Sequence, residues 1–205
     1  MLQKTSNNND EKTTNALLDL YKQGKFKEII ATESELTQLF PDSFKLLNIF
    51  GSSYLALEYF QYAINNFKKA LAINSNQPEI YYNLGLSFHH NGNFCSALNS
   101  YKKALEIQPH YEECYCNMGM SLIELDDFKG AVSCFKKTLE TNPLHVGAYH
   151  NLGKVYGKMG EINLAILNYK KAIELDPTFW KAYVSLGIML SENKKIRLSI
   201  MYLQN

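Results

Sequence analysis

Asn83, Asn117 and Asn151 recur at a spacing of 34 residues and are the side chains of this chain best suited to holding a ligand. An asparagine amide carries two N–H donors and a carbonyl acceptor. A row of them can grip the main chain of an extended peptide without reading its side chains. At roughly 0.5–1.5 kcal/mol net per hydrogen bond, three such contacts sum to a few kcal/mol. That corresponds to millimolar binding at best, so further pockets or repeats must supply the rest. Other groups point to chemistry less well. His89 and His90, Cys116 and His150 lie on different repeats, without the short paired spacing of a structural zinc site. Cys114 and Cys116 sit two apart on one helix and face different sides, which argues against a dithiol centre. No phosphate-cradling glycine loop, metal-binding His-Glu-x-x-His or nucleophile elbow occurs. These residues predict no catalysis, no cofactor and no metal.

The elements that must position such a row are helices. The chain has 205 residues but five prolines, so long helices are permitted over most of it. Apolar residues fall at helical spacing, as at Tyr81, Leu84 and Phe88, then Ala97, Leu98, Tyr101 and Leu105. The pattern repeats without gaps. Tyr81-Tyr82-Asn83-Leu84-Gly85 aligns with Tyr115-Cys116-Asn117-Met118-Gly119 and Tyr149-His150-Asn151-Leu152-Gly153. Tyr101-Lys102-Lys103-Ala104-Leu105 aligns with Phe135-Lys136-Lys137-Thr138-Leu139 and Tyr169-Lys170-Lys171-Ala172-Ile173, and Pro109, Pro143 and Pro177 close the units. Gly24, Gly92 and Gly160 fall where the first helix of a unit must end, and a left-handed residue there costs glycine little. Asn93 and Asp127 follow as N-caps of the second helix. Gly85, Gly119, Gly153 and Gly187 sit inside first helices, where glycine costs roughly 1 kcal/mol against alanine. A close helix approach must compensate, and Ala97, Ala131 and Ala165 are the natural small partners. The aromatic stripe of Tyr81, Tyr101, Phe135, Tyr149 and Tyr169 is core packing.

This 34-residue pattern resembles the tetratricopeptide repeat (TPR) family, whose unit carries an aromatic, a Leu-Gly pair, a Tyr, an Ala, a second aromatic and a terminal Pro. The resemblance implies an all-α fold, a right-handed superhelical solenoid of antiparallel helix pairs with about five full repeats and a truncated sixth. Residues 1–9 are polar and expected to be disordered. The array takes 10–205, in repeats of about 10–43, 44–77, 78–111, 112–145, 146–179 and 180–205. The chain is expected to stop inside the second helix of the sixth repeat. There Ile196, Ile200 and Leu203 would lack a following partner, which suggests the N-terminal part of a longer protein.

The same resemblance places the first helix of each unit along a concave groove. The ladder position is then Asn15, Ile49, Asn83, Asn117, Asn151 and Ser185. A similar asparagine ladder marks the TPR arm of O-linked N-acetylglucosamine transferases, where it binds substrate backbone. Tyr82, Leu86, His89 and His90 would give the third repeat an aromatic and imidazole surface. Cys116, Met120 and Ile123 would make the fourth more apolar, and His150, Lys154, Lys158 and Lys181 would make the far end basic. A ligand with apolar residues followed by an acidic end suits this gradient. The carboxylate clamp of chaperone-binding relatives is incomplete: Asn151 and Lys181 supply two parts, but Cys116, Met120 and Ser185 hold the other places.

The reading is therefore a protein–protein interaction scaffold that takes an extended peptide or partner segment. Its alternative is the substrate-recruiting arm of a larger glycosyltransferase or sulfotransferase, suggested by Leu17-Leu18-Asp19-Leu20-Tyr21-Lys22-Gln23-Gly24 followed by Phe40-Pro41. A net charge of +1 gives no reason to expect nucleic acid. The paired lysines 68–69, 102–103, 136–137 and 170–171 are a solvated face on second helices. No apolar run is long enough to span a membrane. Four cysteines without a disulfide framework suggest reduced thiols in a cytoplasmic protein. Self-association through the apolar last helix is a further expectation.

Overall fold

The computed structural model describes the backbone of residues 2–203 and the side chains of residues 9–194. It consists of helices, and no strand occurs among the described residues. The chain divides into two compact units, Met1–Pro109 and His110–Asn205. The first contains α1 (Leu2–Lys22), α2 (Phe26–Ala31), α3 (Glu33–Leu39), α4 (Phe44–Ala56), α5 (Phe60–Ile73), α6 (Pro78–His90) and α7 (Phe94–Ile107). The second contains α8 (Glu112–Glu124), α9 (Phe128–Thr141), α10 (Val146–Lys158), α11 (Ile162–Leu175) and α12 (Trp180–Leu203). We call α1, α4, α6, α8, α10 and α12 the A helices; α5, α7, α9 and α11 are the B helices.

The turn from A to B is made the same way five times. Gly24, Glu58, Gly92, Asp126 and Gly160 have φ of 73°, 61°, 76°, 57° and 78°. The next N–H reaches back five residues to close the A helix: Lys25 to Leu20 O, Tyr59 to Tyr54 O, Asn93 to Phe88 O, Asp127 to Leu122 O and Glu161 to Tyr156 O, all at 2.8–3.0 Å. This satisfies a carbonyl the helix end would otherwise orphan. Asn93 and Asp127 then cap α7 and α9, their side chains accepting from Ser96 N–H and Gly130 N–H. Glycine fills three of the five left-handed places. Glu58 and Asp126 adopt the same conformation against their steric preference.

The interior glycines allow the close approach expected of them, but the partner is different. The atoms nearest to where a Cβ would stand are ring carbons: Phe67 against Gly51, Tyr101 against Gly85, Phe135 against Gly119 and Tyr169 against Gly153. Ala97, Ala131 and Ala165 are fully buried, yet they do not face these glycines most closely. A ring needs the space of a missing side chain more than another small residue does, and Phe67, Tyr101 and Phe135 are fully buried there. Neighbouring repeats then share cores. Leu17, Ile29, Leu46, Ile49 and Phe50 form one cluster in the first unit, and Leu47, Ala63, Phe67, Ile80 and Leu84 belong to the next.

Residues 1–9 were expected to be disordered, and α1 spans Leu2–Lys22. Two features depart from the repeat pattern. The second helix of the first repeat is broken at Thr32 (φ −90°, ψ −6°), whose hydroxyl donates to Ile29 O at 2.8 Å. The break turns Glu33 so that its carboxylate accepts from Tyr54 Oη and from Asn66 Nδ2 of the second repeat. Burial, and then the Glu33 hydrogen bond, push the Tyr54 hydroxyl above its ordinary pKa. Finally, the sixth repeat does not turn at all. The next place in the 34-residue series of left-handed junctions is Lys194, and α12 runs through it to Leu203. The side chains of Ile196, Ile200 and Leu203 lie outside the described residues.

Candidate functional site: the faces of the A helices

In the first unit the A helices line an open hollow of about 320 Å³. Thr14 and Leu18 line it from α1, Phe44, Lys45, Asn48 and Ile49 from α4, and Gln77, Glu79 and Ile80 from the start of α6. The lining is mostly apolar at its floor, where Ile49 and Ile80 are buried. Asn48 Oδ1 is also buried, and among the described residues it accepts no hydrogen bond. A buried acceptor without a partner costs free energy. A second hollow of about 220 Å³ lies between the second and third repeats, lined by Leu55, Ala56, Glu58, Phe60, Leu86 and His90. It joins two of the residues predicted from sequence, Leu86 and His90. The His90 ring stacks on Phe60, with centroids 5.4 Å apart and planes 18° from parallel. Tyr82 is half-buried and tilts against Tyr101 at 6.2 Å, so it belongs partly to the ring stack behind the helix. Asn83 is half-buried on α6.

In the second unit Asn117 and Asn151 are half-buried on α8 and α10. Both spend a donor within the unit. Asn117 Nδ2 donates to Glu113 O one turn back at 2.9 Å. Asn151 hydrogen-bonds the Cys116 thiol, which holds that thiol's pKa down against a burial that still raises it to about 11. An amide carries two N–H donors and a carbonyl acceptor, so one such contact does not exhaust its capacity. Met120 is half-buried beside them, and Lys154 is exposed.

The basic end needs correction at His150. Its Nε2 lies 3.1 Å from Ser185 Oγ, and its ring meets Phe179 edge-on at 5.3 Å and Tyr169 at 5.7 Å. Burial, reinforced by Lys154 and Lys181, lowers its pKa from 6.5 to about 4. His150 is therefore neutral at pH 7 and joins α10 to α12 instead of adding charge. Lys158 stands over the Phe128 ring at 5.6 Å and Lys181 over Trp180 at 6.0 Å. The positions of Lys158 and Phe128 match those of His90 and Phe60 two repeats earlier. An aromatic at the start of a B helix thus receives the last residue of the next A helix in both units.

The remaining chemical candidates fall to structural roles. Cys114 is buried, its pKa raised to about 12 first by desolvation and then by Cys134, while Cys116 faces Asn151. No group of three or more His, Cys, Asp or Glu residues gathers among the described residues. Lys137 and Lys171 pair with Glu140 and Glu174 at 2.6 and 2.7 Å, and Lys68 and Lys103 lie over Phe88 and Tyr81. Among the described residues no helix is long and apolar enough to cross a membrane.

Sequence models of the tetratricopeptide repeat match residues 78–111 and 146–179, 112–143 and 168–200, and a TPR-repeat model matches 51–92. The chain belongs to the tetratricopeptide repeat family. No curated protein matches it significantly. Among solved structures it resembles that of MamA (TM-score 0.74, 22% identity, covering 80% of this chain and 95% of that one). It also resembles YrrB, described as a TPR protein with an unusual peptide-binding site (TM-score 0.73, 23% identity, 83% and 88%). A third likeness is to a thermophilic TPR protein of Thermus thermophilus (TM-score 0.66, 19% identity, 88% and 98%). At these identities the likeness shows the TPR fold. The lining of the first-unit hollow was not singled out by the asparagine row. Thr14, Leu18 and Asn48 stand at the fifth, ninth and fifth positions of A helices, next to ladder positions occupied by Asn15 and Ile49.

Proposed function

We propose that this TPR chain is a protein-interaction scaffold that holds an extended peptide or partner segment along its A helices. The observation that carries the reading is the hollow of about 320 Å³ between α1, α4 and α6, lined by Leu18, Ile49, Ile80 and Asn48. An apolar ligand side chain enters the hollow, and the adjoining ligand N–H donates to Asn48. Asn83, Asn117 and Asn151 supply further amide contacts to ligand main chain, each worth roughly 0.5–1.5 kcal/mol. Leu86 and His90 offer a second seat for a side chain, Tyr82 and Met120 add contact area, and Lys154, Lys158 and Lys181 favour an acidic end, without help from His150. A peptide-binding site in YrrB, which shares the fold, agrees with this use of it. Whether the chain acts alone or as the recruiting arm of a larger enzyme, the groove does the same work.

Panning a phage-displayed random peptide library on the chain, and measuring the selected peptides by calorimetry, tests the reading. Leu18 is 38% exposed on the wall of the hollow, so Leu18→Glu should spare the fold. It and Asn48→Ala are each expected to weaken apolar-containing peptides about tenfold or more, or about 1.4 kcal/mol. Replacing Asn83, Asn117 and Asn151 together by Ala should weaken peptides regardless of their sequence. Peptides that bind all three variants like the parent chain would rule the groove out.

A further inference from the structure

Two hollows of the first unit lie in line between α4 and α6. The larger, of about 320 Å³, is at the starts of these helices, and the smaller, of about 220 Å³, is at their ends. The smaller has apolar walls of Leu55, Ala56, Phe60 and Leu86, and two polar groups, Glu58 and His90. The His90 ring is engaged with Phe60. Glu58 is exposed, and the ion pairs among the described residues join Lys22 to Asp19, Lys25 to Glu28, Lys137 to Glu140 and Lys171 to Glu174, without it. Its place does not call for a carboxylate. Glu58 holds the left-handed junction (φ 61°) that Gly24, Gly92 and Gly160 fill elsewhere, and a Cβ opposes that conformation. Two repeats on, Asp126 holds the corresponding place, and Lys154 and Lys158 stand at the positions of Leu86 and His90. The second unit thus has two lysines of its own at these positions, and the first has none. The surroundings carry the same sign. Asp10, Glu11 and Asp42 line a further hollow of about 280 Å³, which shares Phe44 and Lys45 with the larger one, and Glu79 lines the larger one itself. Lys45 is the cation set against these acids.

We propose that the smaller hollow seats a lysine or arginine side chain of the bound peptide. The aliphatic stem lies along Leu55, Phe60 and Leu86, and the cationic head meets the Glu58 carboxylate. Long basic side chains suit such a place, because their stem is apolar and only the tip is charged. An apolar side chain there would take water from Glu58 and give it no partner, and an acidic one would face it with like charge. This assigns the chemistry of the second seat and rests on the peptide-holding reading given above. The two linings stand roughly nine residues apart on α4, or about 13 Å at 1.5 Å per residue. An extended chain covers that distance in about four residues. The first unit therefore selects an apolar residue and a basic one about four positions apart. Its charge preference is opposite to the one that Lys154, Lys158 and Lys181 give the second unit.

Dodecapeptides selected by phage panning on the full chain, and measured by calorimetry, test the proposal. Selected sequences are expected to carry Lys or Arg about four positions from an apolar residue. For such a peptide Glu58→Lys should raise the dissociation constant about tenfold, and Glu58→Gln about two- to fivefold. Replacing the basic residue of the peptide by Glu should weaken it toward the parent chain and restore its binding to Glu58→Lys. Glu106→Lys changes the net charge equally from α7, outside the lining, and should have little effect. Peptides that stay sensitive to Leu18→Glu but ignore Glu58→Lys overturn this proposal and leave the peptide-holding reading intact. Peptides indifferent to both overturn both. Equal losses with Glu58→Lys and Glu106→Lys also overturn it, because the preference is then for net charge alone. Loss of helix content in Glu58→Lys leaves Glu58→Gln to decide.

Discussion

Gly85 shows how much one absent side chain decides. The Tyr101 ring occupies the space a Cβ would take, and Tyr101 is fully buried. Gly85→Ala would gain roughly 1 kcal/mol of helix propensity, yet it must push a ring out of a packed interface, for which overpacking typically costs about 1–3 kcal/mol. The expected result is a net destabilisation of up to about 2 kcal/mol in urea unfolding. A neutral or stabilised variant would mean that the ring can move aside. The amides of Asn117 and Asn151 show the limit of reading roles from residue type. Their period was visible in the sequence. That one donor of each is already taken, by Glu113 O and by the Cys116 thiol, depends on packing that spacing does not describe.

Among the elements, the A-to-B junction is the part that the repeat pattern states most directly. Three glycines announce it, and the fourth and fifth places are filled by Glu58 and Asp126 with positive φ. For a residue with a Cβ the left-handed region costs on the order of 1 kcal/mol. Glu58→Gly should therefore raise stability by about 0.5–1 kcal/mol, part of the relief being offset by the greater freedom of glycine in the unfolded chain. A fall in thermal midpoint would show that the Glu58 side chain makes a stabilising contact. The sixth junction was misread as a turn because the repeat period was extended to it. The residue there, Lys194, lies inside α12, which continues through it to Leu203. The break at Thr32 had no such signal. It comes with the tertiary hydrogen bonds of Glu33 to Tyr54 and Asn66, made by residues 21 and 33 positions away.

Across the molecule, acid should act through His150, because it ties α10, α11 and α12 together through Ser185, Tyr169 and Phe179. Its pKa is lowered from 6.5 to about 4 in the folded chain, by burial first and by Lys154 and Lys181 second. Between those values the unfolded chain binds the extra proton. Its contribution to stability is therefore complete above about pH 6.5 and is lost as pH falls toward 4. Thermal midpoints taken from pH 7 to pH 4 should fall less steeply in His150→Gln, which keeps a polar partner for Ser185. An equal slope would place the acid sensitivity elsewhere. The sequence by itself determined the helical class, the 34-residue period and the family, because these rest on local hydrogen bonding and on apolar spacing along one helix at a time. The tertiary structure alone decided that rings and not alanines fill the glycine sockets, that His150 is a neutral strut and that Leu18, Asn48 and Ile80 share one hollow. Those outcomes depend on which surfaces meet when helices stack, and burial then sets the charge and the free hydrogen-bonding capacity of each group.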